Sequence, residues 1–285
     1  MTDSNDNAPR RIAPRKWAIA TLAGLAVAQP AVWTGLSAGP ALAEQAAEAG
    51  EAGEEAAASP ATEAGEAGES GEGAVELSEG PTGFLTQLGY FEGTYRIAAA
   101  LYLGGGHDAA REHLDESHHA FYEDIEEALE TYRAPGFEAE ANAFLTAIAD
   151  DAAEAEVQAR LDTLLAAVSA TAAAAGATAH DRLMSIRELV ALAEAEYEGG
   201  VEDGHVEMAI EYRDSWGFWE TARQRALAMA AGGDPALAEA GRDVLEQLAG
   251  TEALYPGLTA AETGKSPGDL TLAAGWIEII ALRQK

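Results

Sequence analysis

The chain contains no cysteine. That excludes disulfides, thiolate zinc sites, iron–sulfur clusters, haem attachment through C-x-x-C-H and cysteine nucleophiles, so the fold rests on its core alone. Lysine is nearly absent, with Lys16, Lys265 and Lys285 the only three in 285 residues. Alternating runs of Val, Ile and Thr are also missing, so nothing after residue 80 reads as a sheet, and abundant alanine makes helix the default. There is no P-loop, no H-E-x-x-H and no serine–histidine–aspartate arrangement. Enzyme chemistry is therefore confined to a helical metal-dependent oxidase or hydrolase whose metal keeps an open coordination position, and the balance leans away from an enzyme.

What is abundant is acid. Asp and Glu number 49 against 17 Lys and Arg, a formal net charge of −32. Nucleic acid is a poor partner for such a surface, whereas cations gather near it. Solubility, or adaptation to a salty environment, accounts for the charge equally well. Residues 1–43 read as a signal peptide: Arg10, Arg11, Arg15 and Lys16 precede the apolar run from Trp17 to Val32, and Ala41-Leu42-Ala43 supplies small residues for cleavage. An uncleaved membrane anchor is the rival. Residues 44–80 form a low-complexity Ala/Glu/Gly segment with eleven glutamates and no Lys or Arg, the composition of a disordered acidic linker. Residues 81–285 remain for an α-helical domain, in a protein expected to be exported to the periplasm.

That domain is expected to be all-α, an antiparallel bundle of about seven or eight helices, with a helical-repeat solenoid as the alternative. Helices are placed near 83–103, 107–133, 137–150, 153–174, 179–199, 205–231, 235–249 and 269–283. Gly104-Gly105-Gly106, Pro135-Gly136, Gly199-Gly200, Gly232-Gly233 and Pro256-Gly257 mark the breaks. Asp234 followed by Pro235 is a clean helix start.

Four of the six histidines fall in the stretch G-H-D-A-A-R-E-H-L-D-E-S-H-H, residues 106–119. Helical projection puts His118 on the apolar stripe of an unbroken second helix, with Tyr122 on its edge. His119 projects the other way, in a column with Glu112, Asp115, Glu123 and Glu126, and His113 belongs to neither group and reads as exposed. Glu92 lies at the edge of the first helix's stripe. Glu211 has the same position on the helix placed at 205–231, with His205 in that helix's first turn. Each has a bland counterpart: Glu92 in a salt bridge to Arg96 or a neighbouring arginine, His118 as a hydrogen-bonded core histidine, the outward column as a solvated face. The candidate metal ligands are thus Glu92, His118, His119, Tyr122, Glu123, His205 and Glu211. Carboxylate and imidazole suit iron, manganese or zinc and disfavour Cu(I). Glu116-Ser117-His118-His119 supplies one E-x-x-H, of which a di-iron bundle needs two.

Two stretches carry a resemblance. Residues 90–133 include G-Y-F-E-G-T-Y-R, A-R-E-H-L-D-E-S-H-H and F-Y-E-D-I-E-E-A-L, and residues 187–219 include A-E-A-E-Y-E-G-G-V-E-D-G-H-V-E-M-A-I-E-Y-R-D-S-W-G-F-W. Together they resemble exported helical proteins of proteobacteria and, more distantly, the soluble helical region associated with bacterial high-affinity iron permeases. The resemblance implies an extracytoplasmic helical protein near iron handling, and points to Glu123, Glu126, Tyr197, Glu211 and Asp214. The permease's transmembrane helices have no counterpart, so transport itself is not implied. Imelysin-like periplasmic proteins share only an H-x-x-E, here His113 to Glu116. The expectation is an exported helical protein that binds a metal cation, with iron favoured, next to a membrane permease or another inner-membrane protein. The alternative is a non-catalytic structural or interaction module of a membrane-associated complex, which should expose an apolar patch.

Overall fold

A computed structural model of the protein describes residues 77–117, 119, 122–263 and 267–285. Nine α-helices lie among the described residues, and eight of them close into two rings. In the first, α1 (Gly80–Leu103) packs on α2 (His107–Glu116), α2 on α4 (Glu138–Ala149), α4 on α5 (Glu154–Ala173) and α5 back on α1. In the second, α6 (Ala179–Gly200), α7 (Ala209–Ala230), α8 (Pro235–Ala249) and α9 (Gly268–Leu282) close the same way. The short α3 (Glu126–Tyr132) joins α2 to α4. The bundle is therefore all-α as expected, and closed rings replace the solenoid alternative.

Each ring has its own core. Phe84, Leu88, Phe91, Phe137, Phe144 and Leu164 fill the first, with Phe91 edge-on to Phe137 at 5.2 Å and Tyr95 edge-on to Phe144 at 5.6 Å. Leu189, Tyr197, Tyr212, Trp219, Leu270 and Ile277 fill the second. Burying one such side chain contributes about 1.5–3 kcal/mol. The apolar stripe expected on α1 from helical projection, Phe84, Leu88, Phe91, Tyr95, Ala99 and Tyr102, is buried, but so are Gly89, Gly93, Thr94, Ile97 and Ala98. The reason is that the other side of α1 packs on α6 and α7, joining the rings.

Polar contacts set that junction. The Thr86 hydroxyl donates to buried Glu188 at 2.6 Å, and that of Thr82 to Asp181 at 3.3 Å, so α1 and α6 run in the same direction. Asp181 also closes a capping box with Thr178, satisfying amide groups at the start of α6. Between α6 and α7, the chain reverses through a two-residue hairpin: β1 (Val201–Glu202) pairs with β2 (His205–Val206). Asp203 and Gly204 both take positive φ, the left-handed turn that Asp-Gly favours.

Two expectations need correction. The helix placed at 107–133 breaks after Glu116, where Ser117 is extended, and resumes through a 3₁₀ turn (Tyr122–Asp124) and α3. Acidic Asp115 and Glu116 sit at the negative end of the helix dipole and oppose its continuation. The helix placed at 205–231 starts at Ala209, because Val201 to Val206 form the hairpin, a small sheet where none was expected.

Where α1 crosses α7, Gly93 faces Gly217: a Cβ on Gly93 would come within 3.1 Å of the Gly217 carbonyl carbon, and one on Gly217 within 2.5 Å of the Ile97 side chain. Exposed Gly275 on α9 has nothing within 4 Å of an added Cβ. Gly217→Ala is expected to lower stability by about 1–3 kcal/mol through overpacking. Gly275→Ala should raise it by up to about 1 kcal/mol through helix propensity. Urea denaturation of both variants checks the pair.

Candidate metal centre

Four chemistry-bearing side chains meet at the junction of the rings. Glu196 comes from α6, at helical spacing from Leu189, Leu192 and Ala193 on the buried face. Asp214 comes from α7, three residues after Glu211 and four before Phe218. His113 comes from α2, whose buried face is Ala110, His113 and then Ser117. His119 comes from the link after α2. All four side chains are between 0 and 6 % exposed.

The break after Glu116 is what brings His119 inward. In a continuous helix it would stand in the solvated column with Glu112 and Asp115. Instead its backbone N–H donates to the Ser117 hydroxyl at 3.5 Å, and Ser117 lies 3.5 Å from Thr94 of α1. The imidazole then packs edge-on to Phe218 at 5.2 Å and beside Tyr90 at 5.8 Å, which fixes the ring.

Asp214 is the hub. His113 Nε2 lies 3.5 Å from its Oδ1, and His119 Nε2 lies 3.5 Å from its Oδ2 and 3.9 Å from Glu196 Oε1. One donor atom from each of His119, Glu196 and Asp214 can be chosen so that all lie within 4.8 Å of one another. Ligands about 2.0–2.2 Å from an ion stand roughly 3.0–3.5 Å apart, so a shift of about an ångström or less closes this group on a cation.

Electrostatics favour that closure. Among the described residues, the ion-pair partners of Asp214 are the two imidazoles, with no lysine or arginine. Burial pushes His113 down to about 4, outweighing the opposing pull of Asp214, and nearby Arg213 and His119 lower it further. It is therefore neutral near pH 7, and no hydrogen bond is made to either ring nitrogen among the described residues. Burial, then the charge of Asp214, pushes the Glu211 carboxyl up, and its Oε2 is buried without a hydrogen bond. Two other core-facing carboxylates contrast with these. Glu188 takes the Thr86 hydroxyl and the Ser78 amide, and Glu92 takes Arg225. Both are satisfied by protein groups alone.

Of the predicted ligands, His119 joins the centre and Glu211 flanks it. Glu92 is held by Arg225 at 2.8 Å and approached by Arg96 at 3.9 Å, the salt bridge foreseen as its bland counterpart. His205 lies on β2, exposed and 3.9 Å from Glu262, and not in a helix turn. The Tyr122 hydroxyl accepts the Phe137 amide at 3.2 Å, and Glu123 is exposed on the 3₁₀ turn. His118 lies outside the described residues. His113, read as exposed, is fully buried: once α2 is short, its inward face rotates from Leu114 to His113. Of the residues implied by the resemblance, Asp214 stands at the centre, while Glu126 is exposed. Glu196 was missed, although its spacing from Leu189 and Ala193 is the signal that finds it.

Residues 174–280 match the model of the iron permease-associated 4-helix bundle domain. This stretch begins just ahead of α6 and ends within α9, so it is the second ring. The resemblance read from residues 187–219 holds and extends, while residues 90–133 lie outside the match. Glu196 and Asp214 are inside it, and His113 and His119 are outside. Neither the curated proteins nor the solved structures give a match.

Because the folded pKa of His113 lies below its unfolded value of about 6.5, the unfolded chain binds more protons between pH 6.5 and 4. Metal-free protein should therefore lose stability as pH falls through that window, by on the order of 3 kcal/mol from this group. His113→Gln should reduce the proton uptake on unfolding there by about one, measured from urea midpoints across pH.

Proposed function

We propose that this is an exported, periplasmic helical protein that binds a metal cation, iron in preference to manganese or zinc, in metal uptake or handling beside a membrane permease. The observation that carries this reading is the buried His119–Glu196–Asp214 group with His113 behind it. Among the described residues Asp214 meets two imidazoles and no lysine or arginine, and a cation placed between it and the neighbouring Glu196 would offset the cost of burying its charge. His119, Glu196 and Asp214 are the ligands. His113 Nε2, 3.5 Å from the other oxygen of Asp214, needs only a small shift to donate to it and orient the carboxylate, as outer partners do for ligand groups. Iron is preferred because the matched domain is named for iron permeases and because an oxygen-plus-imidazole set suits it.

Metal analysis tests the assignment. Purified without a His tag and incubated with ferrous iron, the protein should retain about one ion per chain, and Asp214→Asn and His119→Ala should retain little. Outer-partner loss in His113→Gln should weaken affinity about 10- to 100-fold. Equal retention by wild type and Asp214→Asn, with both folded, contradicts the assignment.

A second reading, an interaction module, draws on one observation. Leu272, Trp276, Ile279 and Leu282 form an apolar stripe on α9, each between 41 and 66 % exposed. No helix among the described residues is long and apolar enough to cross a membrane, so this face is read as a contact for a membrane protein and not as a span. A photo-crosslinker at position 276 should capture an iron permease in cells, and Ile279→Asp should abolish capture without changing metal content. Crosslinking that persists in Ile279→Asp removes support for this contact.

A further inference from the structure

A cavity of about 690 Å³ opens between α1, α5, α6, α7 and α8, on the opposite end of the α6–α7 pair from the metal centre. Arg225 follows Asp214 by eleven residues on α7, and Ser185 precedes Glu196 by eleven on α6, so about 16 Å of helix separates the two sites.

The cavity concentrates positive charge in a chain whose net charge is −32. Arg96, Arg182 and Arg225 line it, against Glu92 and Asp234. Asp234 is committed to the amides of Ala236 and Leu237 at the start of α8. Glu92 is committed to Arg225 at 2.8 Å, leaving Arg96 only a long contact of 3.9 Å. Arg96 Nε is buried with no hydrogen bond, and Arg182 has no carboxylate partner among the described residues. Three guanidiniums against two carboxylates leave one positive charge in excess. The remaining wall is largely apolar, with Leu85, Leu165, Met229 and Leu237, and Ser169 and Gln224 add neutral polar groups.

We propose that this cavity binds a small organic monoanion, a carboxylate on a short apolar body, with Arg96 and Arg182 donating to the carboxylate and the leucine wall covering the body. A guanidinium fork matches a carboxylate in two parallel hydrogen bonds. The volume lies in the range of sites that enclose small molecules, and a few fixed polar groups in an apolar wall are their usual composition. The excess of one charge favours a monoanion over phosphate.

Titration calorimetry on the full-length protein tests this with octanoate as the probe. Octanoate should bind saturably at one site, with octanol and inorganic phosphate each at least about tenfold weaker. Arg182→Gln, an exposed position, and Ser169→Glu, which places a carboxylate at the cavity edge, should each weaken octanoate about tenfold or more while bound metal stays unchanged. Absence of saturable octanoate binding to the wild type overturns the proposal. So does octanol or phosphate binding as tightly, or both variants binding octanoate like the wild type. The metal reading stands or falls separately, since neither variant touches its ligands.

Discussion

Everything about the junction of the two rings turns on how buried carboxylate charge is compensated. A carboxylate taken from water needs hydrogen-bond donors, a cation or a proton. This protein uses neutral donors at Glu188, arginine at Glu92, and at Asp214 a pair of imidazoles, of which His119 also approaches Glu196. The first two arrangements are complete as they stand, because hydroxyl, amide and guanidinium donors neutralise or solvate the charge in place. At Asp214 the His113 ring is neutral near pH 7 and so supplies no positive charge to the carboxylate. The metal ion proposed between Asp214, Glu196 and His119 would supply that charge.

The architecture makes that group possible. The second ring alone carries both carboxylates, within the stretch that matches the iron permease-associated bundle. The first ring brings the imidazoles: α2 carries His113, and the break beyond it releases His119 toward α7. The rings meet because α1 is apolar on nearly all sides and packs closely on α7 where Gly93 meets Gly217. Metal binding at a centre split in this way would be coupled to the docking of the rings, because the side chains that meet there come from both.

Much of the fold was legible. Glycine and proline marked the breaks between helices, and Asp234-Pro235 opened α8 where expected. The failures share one cause. Helical projection assumes that a helix continues, and the apolar residues from Ala110 to Tyr132 suggested that it did. With the real helix ending at Glu116, the inward face passes through His113, and His119 is free to turn in. Glu211 was correctly placed at the edge of a buried face, yet Glu92, placed by the same logic, is satisfied by an arginine 133 residues away. Projection identifies a carboxylate that faces a core, but only tertiary packing says which cation meets it. The hairpin at Val201–Val206 was hidden because Asp-Gly also reads as a helix boundary.

The central claim is the identity of the ligands, and anomalous diffraction at the iron edge tests it most directly. Crystals of the iron-loaded protein should show one strong peak about 2.0–2.2 Å from the nearest side-chain atoms of His119, Glu196 and Asp214, with His113 contacting Asp214 and not the ion. A peak found only among surface carboxylates such as Glu123 and Glu126, or no peak in protein that retains its fold, would contradict the account.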